Sequence, residues 1–290
     1  MAVQASSRIV RLLGLGLALT AVAAWAGPLP PLTTTTGTDV TLDFNGFTGT
    51  PSSQSVIQGL TSKIRFWNFQ FSSAKPGPTF SDGTNTFTYA GGNLTKLTFQ
   101  MEITNNSSIV SRLSGVGFDY YQDPSTKLPD LVESVDASRT YLKTNGRRAT
   151  TVTETKTFNP NTASGDFNNV DVTVNSFSNG IKNVDFCFSN QSCPGGAGSG
   201  IWNNTNGSVT ATLWFTPDNI KALTFNNFYV RYQSLTVAGG SAAGMPVCVP
   251  GVDPDCTSDF VPEPSFYGLL GLGMAGLIFA RHAAGRRTQE

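Results

Sequence analysis

The sequence predicts an all-β protein, an antiparallel β-sandwich or jelly-roll-like domain set between two terminal segments that do not belong to the fold. Two observations carry the prediction. Apolar and polar residues alternate in Leu97-Thr98-Phe99-Gln100-Met101-Glu102-Ile103, in Val209 to Phe215 and in Val170 to Val174, as half-buried strands require. Turn-forming clusters such as Lys75-Pro76-Gly77-Pro78, Asn105-Asn106-Ser107-Ser108 and Asn203-Asn204-Thr205-Asn206-Gly207 separate these runs, and no amphipathic helical pattern intervenes.

Residues 1–26 read as a Sec-type signal peptide. Arg8 and Arg11 precede the apolar run Leu12 to Ala23, and Ala24-Trp25-Ala26 offers a small-x-small cleavage site before Gly27. The Sec machinery and signal peptidase are the partners this segment implies.

Residues 27–240 form the predicted β domain. Strands are expected at Val40 to Phe44, Lys63 to Phe71, Thr86 to Tyr89, Leu97 to Ile103 and Leu113 to Tyr120. Further strands are expected at Val132 to Leu142, Ala149 to Phe158, Val170 to Val174, Lys182 to Phe188 and Val209 to Phe215. The last two are Leu223 to Phe225 and Phe228 to Leu235. Roughly a dozen short strands with no fixed repeat favour a sandwich over a β-helix. Phe44, Phe66, Phe69, Phe99, Phe118, Phe186, Phe215 and Phe225 are the expected core aromatics.

All four cysteines lie in the exported part. Cys187 pairs by proximity with Cys193, and Cys248 with Cys256, although the count alone allows other pairings. Zinc is disfavoured, because the spacings are wide for a C-x₂-C clasp and the single histidine, His282, lies in the tail. Residues 241–260 read as a Pro/Gly/Asp-rich linker stiffened by the second pair.

Residues 261–290 form the most distinctive segment. Pro262-Glu263-Pro264 precedes the uncharged run Phe266 to Ala280, and Arg281, Arg286 and Arg287 follow. The two prolines hold the tripeptide extended and accessible. The run is a little short of the roughly 20 residues of a spanning helix. Snorkelling Arg281 makes up part of the difference, and the terminal arginines obey the positive-inside rule. This order of parts resembles the PEP-CTERM sorting signal of Gram-negative bacteria. The resemblance implies recognition of the tripeptide by an exosortase, a membrane-embedded transpeptidase-like enzyme. It also implies transient anchoring in the inner membrane, and release to the cell surface or extracellular matrix. Asn183 to Phe188, Cys193 to Gly200 and Phe228 to Ser234 further resemble the cistern family of PEP-CTERM proteins, for which no activity is implied.

Charge and composition exclude several functions. The chain has 19 basic and 19 acidic residues; Arg8 and Arg11 leave with residues 1–26, and Arg281, Arg286, Arg287 and Glu290 with residues 266–290, so 14 basic and 18 acidic residues remain, a net charge of −4. Beyond Arg147-Arg148 nothing basic is clustered, so no nucleic-acid partner is expected. Without a histidine in the exported part, Ser–His–Asp and Cys–His devices are excluded in their usual form. The run Gly195 to Gly200 lacks the Lys-Ser/Thr of a phosphate loop and reads as a surface loop.

Carboxylate pairs able to serve glycoside hydrolysis would be Asp119 with Asp123, or Glu133 with Asp136; Asp39 and Asp43 would be the pair for structural calcium. All six read more simply as strand-end and turn acids, so no catalytic residue, metal or cofactor is assigned. Trp67, Trp202 and Trp214 are the candidate sugar platforms; Trp214 is expected on the outer face of its strand, where packing under a loop or against a neighbouring chain is the favoured alternative to sugar stacking. The reading is a non-enzymatic structural or adhesive protein of the surface and its exopolysaccharide matrix (biofilm or floc), the alternatives being a carbohydrate-binding module or, less favoured, a glycoside-active enzyme.

Overall fold

The structure, a computed structural model, describes residues 31–50, 53–74, 77–177, 181, 183–193, 200–236 and 240–247. The expected signal peptide, the Cys248–Cys256 pair and the Pro262-Glu263-Pro264 tail lie outside these residues. Among the described residues there is no α-helix.

Seventeen strands are described. The first eight are β1 (Leu32–Thr35), β2 (Val40–Thr50), β3 (Ser53–Ala74), β4 (Thr79–Ser81), β5 (Thr86–Tyr89), β6 (Leu94–Asn105), β7 (Arg112–Tyr120) and β8 (Asp130–Leu131). Then come β9 (Val135–Asn145), β10 (Arg148–Phe158), β11 (Thr162–Gly165), β12 (Asn169–Val174) and β13 (Val184–Ser189). The last four are β14 (Ile201–Trp202), β15 (Thr205–Thr216), β16 (Ala222–Gln233) and β17 (Ser241–Pro246). All pairings are antiparallel, as the two-residue periodicity requires.

The large sheet runs β11-β15-β6-β3-β2-β17-β16-β7-β13-β12, with β1 on β16, β14 on β7 and β8 on β15. It curls until its two halves face each other, and the terminal strands β11 and β12 touch. Phe66 of β3 meets Phe118 of β7 edge-on at 5.8 Å, and Phe99 of β6 meets Phe188 of β13 at 6.0 Å. The expected sandwich therefore has both faces supplied by one continuous sheet, with the predicted phenylalanines between them.

Bulges make this curvature. In β3, Trp67 pairs with Gln100 and Gln70 with Thr98, so Asn68 and Phe69 together oppose Phe99. Asn68 takes φ 56°, a region asparagine tolerates better than most residues. The extra residue puts both Phe66 and Phe69 inside and leaves Trp67 outside. A second bulge in β16, with Asn227 at φ 49°, joins the two strands expected at Leu223 to Phe225 and Phe228 to Leu235 into one.

One boundary is corrected. The segment after Gly240 begins not as a linker but as β17, inserted between β2 and β16. Ala242 and Ala243 are fully buried, and a side chain on Gly244 would lie 2.6 Å from Val230 Cγ2. Small residues are needed where this strand passes between its neighbours, and their low hydropathy contrast gives the segment the look of a spacer.

A smaller sheet, β10-β9-β5-β4, is attached to the outer face of the large one through Leu94, Val135 and Trp214, with Phe80 and Phe158 packed on them. On the other half, Phe177, Ile181 and Val184 cover Phe47 and Met245. The Cys187–Cys193 disulfide, as expected, ties the loop after β13 into this patch.

Candidate functional site

The outer face of β3, β6 and β15 carries the candidate site. Register places Trp67, Gln100 and Thr210 in one row across the strands, and Arg65, Glu102 and Ser208 in the next. Alternation sends these side chains outward while Phe66, Met101 and Val209 point into the core. Asp166, at the end of β11, closes one side by accepting a hydrogen bond from Ser208 N at 2.7 Å. Trp67, Gln100, Glu102, Asp166, Ser208 and Thr210 line a groove of about 420 Å³, with Arg65 beside it.

Its polar groups are held before any ligand arrives. Arg65 donates to both oxygens of Asp39, at 2.8 and 2.6 Å, lies 3.8 Å from Glu102, and has its guanidinium 5.2 Å from the Trp67 ring centroid. This pairing lowers the Asp39 carboxyl below its ordinary value and raises the arginine. Gln100 Oε1 is buried and makes no hydrogen bond among the described residues. An indole flanked by an amide, two carboxylates and hydroxyls presents an apolar plane and a polar rim, which is what a pyranose ring with its hydroxyls requires.

The three tryptophans have different surroundings. Trp67 is half-buried in the groove. Trp214 lies on the same outer face, as expected, but is packed and not open to a ligand: it is only 9% exposed. The small sheet covers it, with Phe80 edge-on at 5.7 Å. No local pattern in β15 announces that cover, since it comes from residues 79–158. Trp202 is exposed on β14, beside β7, with the Arg112 guanidinium 4.0 Å from its centroid.

Nor are the carboxylate pairs assembled as suggested. Asp123 caps its own turn, accepting from Ser125 N at 2.7 Å and Ser125 Oγ at 2.6 Å. Glu133 accepts from Thr173 Oγ1, whereas Asp136 accepts from Thr157 Oγ1 at 2.6 Å. Asp39 and Asp43 are matched to Arg65 and Lys63, so they do not converge on a cation site.

Asp119 has a companion the sequence did not indicate. Its Oδ1 accepts from Asp185 N at 2.9 Å, its Oδ2 from Asn227 Nδ2 at 2.8 Å, and Asp185 Oδ2 accepts from Tyr120 N at 3.0 Å. Burial pushes both carboxyls above their ordinary values, and Asp119 raises Asp185 further by charge repulsion. The pair lies at the meeting of β7 with β13, sixty-six residues apart in sequence, so no local motif could show it. Among the described residues no group of three His, Cys, Asp or Glu side chains gathers as metal ligands.

An all-β exported domain with a short, separate address at its end is the class that these features define. Residues 260–287 match the family model of the PEP-CTERM protein-sorting motif. The chain carries this sorting motif, which marks it as an exosortase substrate: secreted, anchored transiently in the membrane, processed and delivered to the cell surface. No curated protein and no solved structure matches it.

Proposed function

We propose that the processed protein is a non-enzymatic structural or adhesive component of the cell surface and its polysaccharide matrix, and that it holds polysaccharide through the Trp67 groove. The producer is a Gram-negative bacterium, with Sec export and signal-peptide cleavage ahead of exosortase, and the setting is biofilm or floc formation. The ectodomain is assigned to the cistern group on the stretches quoted above.

The observation that carries the reading is the outward indole of Trp67 beside an unpartnered buried amide oxygen, on the face formed by β3, β6 and β15. Binding is favoured over turnover by the engagement of both groove acids, Glu102 near Arg65 and Asp166 on Ser208 N. The test is retention of the processed protein on immobilised polysaccharides. At least one polysaccharide is expected to retain it, with Trp67→Ala weakening the interaction at least about tenfold, as loss of a stacking platform does. Retention by none, or undiminished binding by the variant, contradicts the proposal; release of reducing ends from the same panel would make it an enzyme.

A further inference from the structure

The β9–β10 hairpin extends beyond the small sheet. β5 pairs with β9 only at Ala137 and Ser138, and past that point β9 and β10 pair, among the described residues, with each other alone. From Arg139 to Asn145 this arm reaches roughly 20 Å at about 3.3 Å per residue. Every residue from 141 to 150 is exposed. Gly146, at φ 64°, occupies the first corner of the two-residue turn, where type II′ hairpins place glycine.

Charge is segregated along the arm. At its base Arg139 pairs with Glu154 at 2.7 Å, and Lys156 pairs with Asp82. At its tip Lys143, Arg147 and Arg148 have no ion-pair partner among the described residues. Three cations without an ion-pair partner among the described residues thus sit at the end of the arm, on a chain whose exported part carries net charge −4. Like charges brought this close repel one another, and an external polyanion relieves that repulsion.

We propose that the β9–β10 arm is a contact for an acidic polysaccharide, with Lys143, Arg147 and Arg148 meeting the polymer's carboxylates. The surface behind the tip suits a hydroxylated polymer. Thr140, Thr144, Thr150, Thr151 and Thr153 line the two strands with hydroxyls. The arm's one tyrosine, Tyr141, is stacked by Arg139 at 4.6 Å, so it does not offer the open aromatic platform used for nucleic-acid bases. A second copy of the arm brought alongside in register would set like charges together, which disfavours arm-to-arm pairing. The inference does not depend on the Trp67 groove, which carries a separate contact.

The test uses the full-length chain in neutral detergent, with polygalacturonate as probe and dextran and duplex DNA as comparisons. Polygalacturonate is expected to bind, to bind more weakly as salt rises, and to be preferred to both other polymers. Lys143→Gln/Arg147→Gln/Arg148→Gln should lower its affinity on the order of a hundredfold, at the usual worth of a basic residue near an anionic surface. All three side chains are exposed, so the melting temperature should not move. Lys63→Gln, a body cation paired with Asp43, should have no effect, and Trp67→Ala should leave this binding intact. Equal affinity of the triple variant and the wild type overturns the proposal, as does tighter binding of DNA. Self-association of the variant with polymer binding retained also overturns it, because the cations would then serve only to keep the open edges apart. Loss through Trp67→Ala alone would return all binding to the groove.

Discussion

Phe118 lies where the two halves of the curled sheet come together, with the rings of Phe66, Phe99, Phe188 and Phe225 within 6.3 Å of it. Phe118→Ala should cost about 4 kcal/mol, the usual range for a fully packed aromatic, measured by denaturant unfolding. A cost below about 1 kcal/mol would mean that the halves are not closed over one core. Asp119 and Asp185 make a prediction of opposite character. Their folded-state values are raised, so their charged forms cost stability above the folded value, and that cost disappears as pH falls through it. Asp39 and Asp123 are lowered; they contribute stability above the unfolded value that is lost on acidification through the folded one. Melting curves of wild type and Asp119→Asn should therefore converge on moving from pH 7 to pH 4, and a gap that widens would refute the assignment. The two-residue period and its aromatic ring mark Phe118 as a core residue from the sequence alone. Asp185 was not legible, because its role arises only when β13 lies against β7. Asn105 is a similar case: it reads as a turn residue but is fully buried, donating to Ile201 O at 3.0 Å and accepting from Ser107 Oγ at 2.7 Å.

At the scale of elements, alternation indicated strands reliably where one face meets water and the other the core. β5 occupies the expected Thr86 to Tyr89, and β6, β7, β10, β12 and β15 lie within a few residues of expectation. Departures occur where the period is broken or muted. Bulges let Phe66 and Phe69, three apart, share an inner face, and they fuse the two strands expected within β16. β17 is built of small residues whose buried faces show no contrast, and β4, β8, β11 and β14 are too short to set up a period. The candidate groove was legible only as Trp67; Gln100, Glu102 and Asp166 join it through register and the approach of β11 to β15. Two measurements test the element account. Reducing Cys187–Cys193, whose partners are 6 residues apart, should lower stability by about 2 kcal/mol, the entropy expected of a short closed loop. Ala243→Glu in β17 should abolish cooperative unfolding, because it places a charge at a fully buried site between two strands. Linker-like tolerance of that substitution would contradict the strand's place in the sheet.

For the molecule as a whole, the domain and its address obey different physics. The domain is held by an aromatic interior and one wrapped sheet, whereas the tail from residue 260 carries the sorting motif that exosortase processes at the membrane. Mild net acidity keeps the exported surface soluble, and the unpaired cations of the arm stand apart from it. Replacing Glu263 with Gln should keep the tail attached and the protein in the inner membrane, read by fractionation; unchanged delivery to the surface would separate the tripeptide from sorting. The most direct test of the export-and-processing account is the intact mass of the protein recovered from the cell surface and medium of its producer. A species beginning near Gly27, lacking the segment from Phe266 to Glu290 and lighter by the four hydrogens of two disulfides, is the expected result. A surface protein that still carries Phe266 to Glu290 would contradict it.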